Sequence, residues 1–216
     1  AAPYARLRHL LGRGMRAICT LRDGGAAAEL AGYLCSIGFG DSALTLLERL
    51  GGPKQRIRST TAAGFDLSEI DAPVVAAIEA VGHGLPQASG LEDALFASDG
   101  QITKRPIRAL TLSALAPRVG EHLWDIGGGS GSVSVEWCLA ARGASATSFE
   151  ARPDRLVNIR RNAEDFGLAH RLTAVEGRAP QVLQGQPLPD CVFIGGGGNQ
   201  ALLDHLWDIL PEGTRL

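Results

Sequence analysis

From His122 the sequence runs through an apolar strand pattern, His122-Leu123-Trp124-Asp125-Ile126, straight into Gly127-Gly128-Gly129-Ser130-Gly131 and out into the helical pattern Ser132–Ala141. Few chain geometries accept that order. Glycines at 127, 129 and 131 allow positive φ and close backbone approach, so a strand can turn abruptly into a helix. In an open parallel sheet such a turn lies at the carboxyl edge of the strands, where the ligand crevice forms. Glu150 closes the next strand candidate, Ser145–Glu150, and therefore reaches the same edge.

The surrounding pattern agrees with this reading. A helix is predicted at about Pro106–Leu115, ahead of the strand His122–Ile126. A helix at Pro153–Phe166 follows the second strand, with proline at its start and Gly167 just past its end. Next come a strand at Leu172–Val175, a short helix near Pro180–Leu183, a strand at Cys191–Ile194 and a helix after Asn199. Strands and helices alternating in this way specify an α/β fold, a parallel sheet with helices on both faces.

A strand, a glycine turn, a helix and a distal acid serve dinucleotides as well as S-adenosylmethionine. Two details favour the methyl donor. The dinucleotide pattern G-x-G-x-x-G, started at Gly127, puts Ser132 where its last glycine belongs. Asp125, just ahead of the loop, disfavours a pyrophosphate and suits an ammonium and a sulfonium. Asp125, Gly127, Gly129 and Gly131 are therefore candidate donor contacts, and Glu150 is the candidate acceptor for the ribose hydroxyls. An NAD-dependent oxidoreductase stays open as the alternative. Gly195-Gly196-Gly197-Gly198 follows the strand Cys191–Ile194 at the same edge, and four residues without side chains leave room for a broad, flat acceptor. No catalytic triad or carboxylate pair can be assigned. None is required for in-line displacement at a sulfonium, where holding donor and acceptor together supplies much of the rate.

The rest of the chain bounds the partners. A formal charge of -2 on 216 residues offers no field for a nucleic-acid backbone or an anionic membrane. No apolar run is long enough to span a bilayer, and Ala1-Ala2-Pro3-Tyr4 does not read as a signal peptide, so a cytoplasmic protein is expected. Cys19, Cys35, Cys138 and Cys191 and the five histidines lack metal-ligand spacing, and no metal is assigned. Residues 3–82 read as a helix, a strand at Met15–Leu21, a helix at Ala26–Ile37, a strand at Ser42–Leu50, a polar loop and a strand at Val74–Val81. The turn-forming stretch 83–102 reads as an interdomain connection, which separates a domain at 1–82 from one at 103–216.

Several segments together resemble one family. They are Asp99-Gly100-Gln101-Ile102-Thr103-Lys104-Arg105, Arg108–Leu115, Trp124–Gly131, Glu176-Gly177-Arg178-Ala179-Pro180 and Gly195–Gly198. They are similar to the precorrin-6Y C5,15-methyltransferases (decarboxylating) of cobalamin biosynthesis. Leu44–Pro53 looks like the second lobe of that family's amino-terminal tetrapyrrole-methylase domain, so the likeness covers essentially the whole chain. It implies a Rossmann-like class I methyltransferase domain preceded by a partial α/β lobe. The expected reaction is methylation of C15 of the tetrapyrrole precorrin-6Y with decarboxylation of its C12 acetate, while C5 methylation belongs to the complete amino-terminal domain. The resemblance carries Thr103 over as a donor or substrate contact and turns Gly195–Gly198 toward the tetrapyrrole. A homo-oligomer is expected.

This chain departs from the family pattern at Pro106 and Arg178, where many relatives carry acids. The second departure makes the backbone near Ala179 the expected adenine contact. Lys104, Arg105, Arg108 and Arg178 are candidates for the substrate's carboxylates, with Arg105 the one assigned, although solvated surface is the default for each taken singly. The segment before residue 83 matches only one lobe, and a fifth strand should begin at Thr214-Arg215-Leu216, so a fragment is expected. Methylation of another small molecule or of RNA, or donor binding without catalysis, are the competing functions.

Overall fold

Two hydrophobic patterns of different period build two units, Pro3–Leu85 and Pro86–Leu216, in a computed structural model that describes residues 3–216. In the first unit, strands β1 (Arg16–Thr20), β2 (Ala43–Glu48), β3 (Arg56–Thr61) and β4 (Val74–Glu79) form an antiparallel sheet in the order β1-β4-β2-β3. Alternation turns Leu44 and Leu46 of β2 and Val74, Ala76 and Ile78 of β4 to one face. Helix α1 (Gly25–Ser36) packs Ala27, Leu30, Ala31 and Leu34 into the same cluster.

Strand β3 lies in the stretch expected to be a polar loop. Arg56-Ile57-Arg58-Ser59-Thr60-Thr61 has one large apolar residue, and Ile57 is 54% exposed, so no hydrophobic pattern marks the strand. Its position comes from pairing with β2, from Ala43 opposite Thr61 to Glu48 opposite Arg56. Glu48 continues the buried row of β2 and is fully buried. Its carboxylate accepts from Arg56 at 2.7 Å, from Arg58 at 2.9 Å and from the Asp71 N–H at 2.8 Å. One buried acid thus gathers β3 and the following loop.

The second unit contains α2 (Arg105–Leu115), β5 (His122–Ile126), α3 (Ser132–Ala140), β6 (Ser145–Glu150), α4 (Pro153–Asp165), β7 (Leu172–Glu176), β8 (Cys191–Ile194) and α5 (Gln200–Ile209). All strand pairs are parallel, in the order β7-β6-β5-β8. Both β5 and β6 are buried along nearly their whole length, as strands covered on two faces must be. Trp124 and Ile126 of β5 join Leu202 and Leu206 of α5 in one cluster, and Trp124 meets Phe149 edge to face at 5.7 Å. Asp125, on the opposite face, meets α3 through Ser134. At Thr214–Leu216, where a fifth strand is expected, Arg215 makes a parallel bridge to Cys191, and its N–H and carbonyl are both paired.

Residues 86–102, expected as a connection, belong to the second unit. Leu91 and Phe96 are buried there. Glu136 of α3, only 3% exposed, accepts from the backbone N–H groups of Gly90 at 2.5 Å and Leu91 at 2.9 Å and from Arg108 Nε at 2.5 Å. Arg108 is not the solvated cation expected from its charge. It is fully buried, lies 4.7 Å from the centre of the Phe96 ring, and donates to Asp93 and to the carbonyls of Leu91 and Thr103. Turn-forming composition hid these contacts, because polar side chains rather than an apolar stripe bind the segment to its domain.

Glu48 generates the first prediction. Burial works to raise its pKa, yet the Arg56 guanidinium, the Asp71 N–H and Arg58 outweigh it and bring it down to about 2. The folded value lies below the ordinary 4.5, so the stabilisation is complete above 4.5 and is lost as pH falls through about 2. Glu48→Gln should cost roughly 1.5–3 kcal/mol at neutral pH, the range for hydrogen bonds to charged groups. Melting curves should converge as the pH is lowered. Equal Tm values at neutral pH would remove Glu48 from the stability of the sheet.

Candidate functional site

The carboxyl ends of β5, β6, β7 and β8 open into a cleft of about 490 Å³. The glycine loop forms one wall of it. Gly127 passes so close to the turn after β8 that an added Cβ would lie 2.7 Å from the Gly196 nitrogen, and a Cβ on Gly128 would lie 1.9 Å from Ser148 Oγ. Those two glycines are demanded by protein packing. Gly129 is the least crowded of the three, since a Cβ there would make only an ordinary contact with the Gln101 carbonyl at 3.6 Å. The N–H groups of Gly127 and Gly128 reach back to the Phe149 carbonyl, which fixes the turn to β6.

Glu150 sits at the end of β6, 6% exposed, at the wall of the cleft. Its Oε2 accepts from the Gly129 N–H at 2.9 Å and its Oε1 from the Arg152 N–H at 3.0 Å. Both oxygens are thus oriented by backbone, and each keeps a further acceptor site for a ligand hydroxyl. Ser130 also lines the cleft, and its hydroxyl is buried with no hydrogen-bond partner among the described residues. Gln101, Ile102 and Thr103 form the opposite wall.

Of the residues expected in the donor site, Thr103, Gly127, Gly129, Glu150 and Ala179 line this one cleft. Gly195, Gly196 and Gly197 join them. Four expected contacts lie elsewhere. Asp125 is 1% exposed and points beneath the loop, where Ser134 Oγ donates to its Oδ2 at 2.6 Å and Ser148 Oγ at 3.3 Å. Gly131 packs on Ile159, whose Cγ2 would lie 3.0 Å from an added Cβ. Gly198 has passed beyond the cleft, against Ile194. Arg105 starts α2 outside it, with its N–H held by Asp93 at 3.0 Å and its guanidinium 3.9 Å from Glu92.

Sequence reasoning missed other lining residues. Phe149 and Ala151 flank Glu150 on the cleft wall, and Asn199 lines it while capping α5 through the Leu202 N–H at 2.9 Å. Arg152 and Arg155 carried no motif signal because their place depends on the sheet edge. Asp99 Oδ2 lies 2.9 Å from Arg155 Nε and 3.7 Å from Arg152, so both cations are matched by acids. Arg178 lines the cleft with no ion pair among the described residues, which leaves one cation free for a ligand carboxylate. Among the described residues no group of His, Cys, Asp and Glu could hold a metal ion. The arrangement suits a ligand with a vicinal diol at Glu150 and polar groups along the glycine loop.

Comparison with known proteins agrees with this chemistry. A family model described as a precorrin methyltransferase domain matches residues 94–216. A Sinorhizobium protein named precorrin-6Y C(5,15)-methyltransferase [decarboxylating] is 49% identical over 99% of this chain and 53% of its own length. A Mycobacterium tuberculosis protein of the same name is 41% identical over 100% of this chain and 54% of its own. The chain therefore spans about half the length of these curated relatives. The crystal structure of the C-terminal domain of precorrin-6Y C5,15-methyltransferase from Rhodobacter capsulatus is 60% identical, with a TM-score of 0.59, over 60% of this chain and 70% of that one.

The buried Asp125 generates a pH prediction. Burial pushes its pKa from the ordinary 3.8 up to about 6, against the Ser134 and Ser148 hydrogen bonds that lower it. A carboxyl that holds its proton more tightly when folded penalises the fold once ionised. The penalty is absent below 3.8, grows as the pH rises, and is complete above about 6. Asp125→Asn removes the ionisation, so it should stabilise the protein above that pH by up to about 3 kcal/mol. Its advantage should fade as the solution is acidified. A difference in Tm that stays constant between about pH 4 and about pH 8 would refute the assignment.

Proposed function

This chain belongs to the precorrin methyltransferase domain family, and from that premise we propose that its second unit methylates C15 of precorrin-6Y, with S-adenosylmethionine as donor, and decarboxylates the C12 acetate. One observation carries the reading. The Glu150 carboxylate, oriented by the Gly129 N–H, and the glycine loop line a single cleft together with Gly195–Gly197. S-adenosylmethionine supplies an electrophilic methyl carbon on a sulfonium. The chain's own part is to bind and orient.

Glu150 accepts from a ribose diol with the acceptor sites that backbone leaves free. Gly129 admits the donor against bare backbone because a Cβ there would meet only the Gln101 carbonyl, at 3.6 Å. The Gly195–Gly197 turn keeps side chains away from a broad ring system, and Arg178 offers a charge-assisted hydrogen bond to one of the many carboxylates of a tetrapyrrole. Positioning is worth several kcal/mol in such a displacement, roughly 7 or more in the best intramolecular cases.

Incubation of the chain with precorrin-6Y and S-adenosylmethionine, followed by mass analysis and carbon NMR, should show one added methyl group at C15 and one lost carbon dioxide. Methyl transfer without decarboxylation would refute the coupled reaction, and donor binding without any transfer would reduce the unit to a donor-binding module. Glu150→Ala should weaken S-adenosylmethionine binding by roughly 1.5–3 kcal/mol, the range for hydrogen bonds to a charged group. Calorimetry that finds wild-type affinity in a folded Glu150→Ala variant would take Glu150 out of the donor site.

A further inference from the structure

We propose that Asn162, which does not touch the cleft, is a positioning residue that locks the two walls of the donor site to each other. One wall is the glycine loop, Gly127–Ser130. The other is Gln101–Thr103, carried by the segment that precedes α2. The walls come close where a Cβ on Gly129 would lie 3.6 Å from the Gln101 carbonyl.

Asn162 sits on the inner face of α4 and is fully buried. Its Oδ1 accepts from the Ala97 N–H at 2.8 Å. Its Nδ2 donates to the Ala97 carbonyl at 2.9 Å and to the Ser130 carbonyl at 2.8 Å. The side-chain amide thus pairs with both backbone groups of Ala97, as a neighbouring strand would, and spends its second N–H on the glycine loop. Few side chains can do this. The task needs one acceptor and two donors on a short planar group, which among buried neutral side chains means an amide.

Each of the two walls also has anchors of its own. Ahead of Ala97, Glu136 fixes Gly90 and Leu91; beyond it, Asp99 accepts from Arg155 at 2.9 Å and Arg108 donates to the Thr103 carbonyl. On the other wall, the loop is tied to β6 through Phe149 and Glu150. Through one side chain, Asn162 connects the leading segment with a carbonyl of the loop. Without these hydrogen bonds each wall keeps its own anchors and loses its registration with the other.

The test uses the whole chain and four proteins: wild type, Asn162→Asp, Asn162→Ala, and the control Leu206→Ala, a core truncation on α5 in the Trp124 cluster, on the face of β5 opposite to α3. The first readout is amide hydrogen–deuterium exchange without ligand. Both Asn162 variants should speed exchange in residues 97–103 and 128–131 together, and the control in neither. The second readout, which rests on the donor-site reading above, is the affinity for S-adenosylhomocysteine. It should fall about tenfold, the loss of roughly one to two net hydrogen bonds.

The order of the variants separates positioning from packing. Asp keeps the shape of Asn but turns an oxygen toward two carbonyls, so it should weaken binding at least as much as Ala. A residue that only fills space gives the reverse order, with Asp near wild type, and that result would overturn the proposal. Loosening confined to one wall, or an equal loss of affinity in the control, would also overturn it. Wild-type chain that fails to bind S-adenosylhomocysteine would defeat the donor-site reading, and the exchange data would still decide the coupling. Should Asn162→Asp not fold, the Ala variant carries the exchange test alone.

Discussion

The second unit depends on a backbone turn that has no room for side chains. Between the end of β5 and the start of α3, Gly127 must pass the Gly196 backbone and Gly128 must pass Ser148, at separations that a Cβ would turn into overlap. The two glycine turns therefore exist for one another as much as for a ligand. Close packing of the loops keeps the carboxyl edge low, and the cleft opens above it. Gly129, the least crowded of the three, is where bare backbone remains available for binding.

Around that turn the site is organised by buried polar groups. Arg108, Glu136 and Asn162 are each nearly or completely enclosed, and each satisfies backbone groups that come from elsewhere in the sequence. Buried polar atoms are costly when unpaired and specific when paired. That combination explains how a turn-rich stretch, which presents only Leu91 and Phe96 to the core, can form a defined wall of the cleft. The same logic holds in the first unit, where buried Glu48 gathers Arg56 and Arg58 of an otherwise polar strand.

Asp125 changes role between sequence and structure. Its place just before the glycine loop suggests contact with a cationic ligand, but the pleat of β5 sends its side chain beneath the loop toward Ser134 and Ser148. Arg105 lies outside the cleft lining for a different reason: α2 starts at this residue, and its guanidinium lies 3.9 Å from Glu92. Arg178, one loop away on the cleft wall, is the cation with free charge.

The sequence by itself determined the order of elements in the second unit, the parallel sheet, the glycine turn and the acid at the end of β6. These features are local: periodicity of two or 3.6 residues, proline and glycine at helix ends, and an acid at a strand terminus are all written in neighbouring residues. Only the tertiary structure decided the rest. Whether Arg108 is solvent-exposed or enclosed, whether residues 86–102 connect units or line a site, and whether 56–61 is loop or strand all depend on partners far away in the chain. Hydrogen bonds such as Asn162 to Ala97 and Ser130 leave no periodic trace, because the partner is a backbone group that any residue would present.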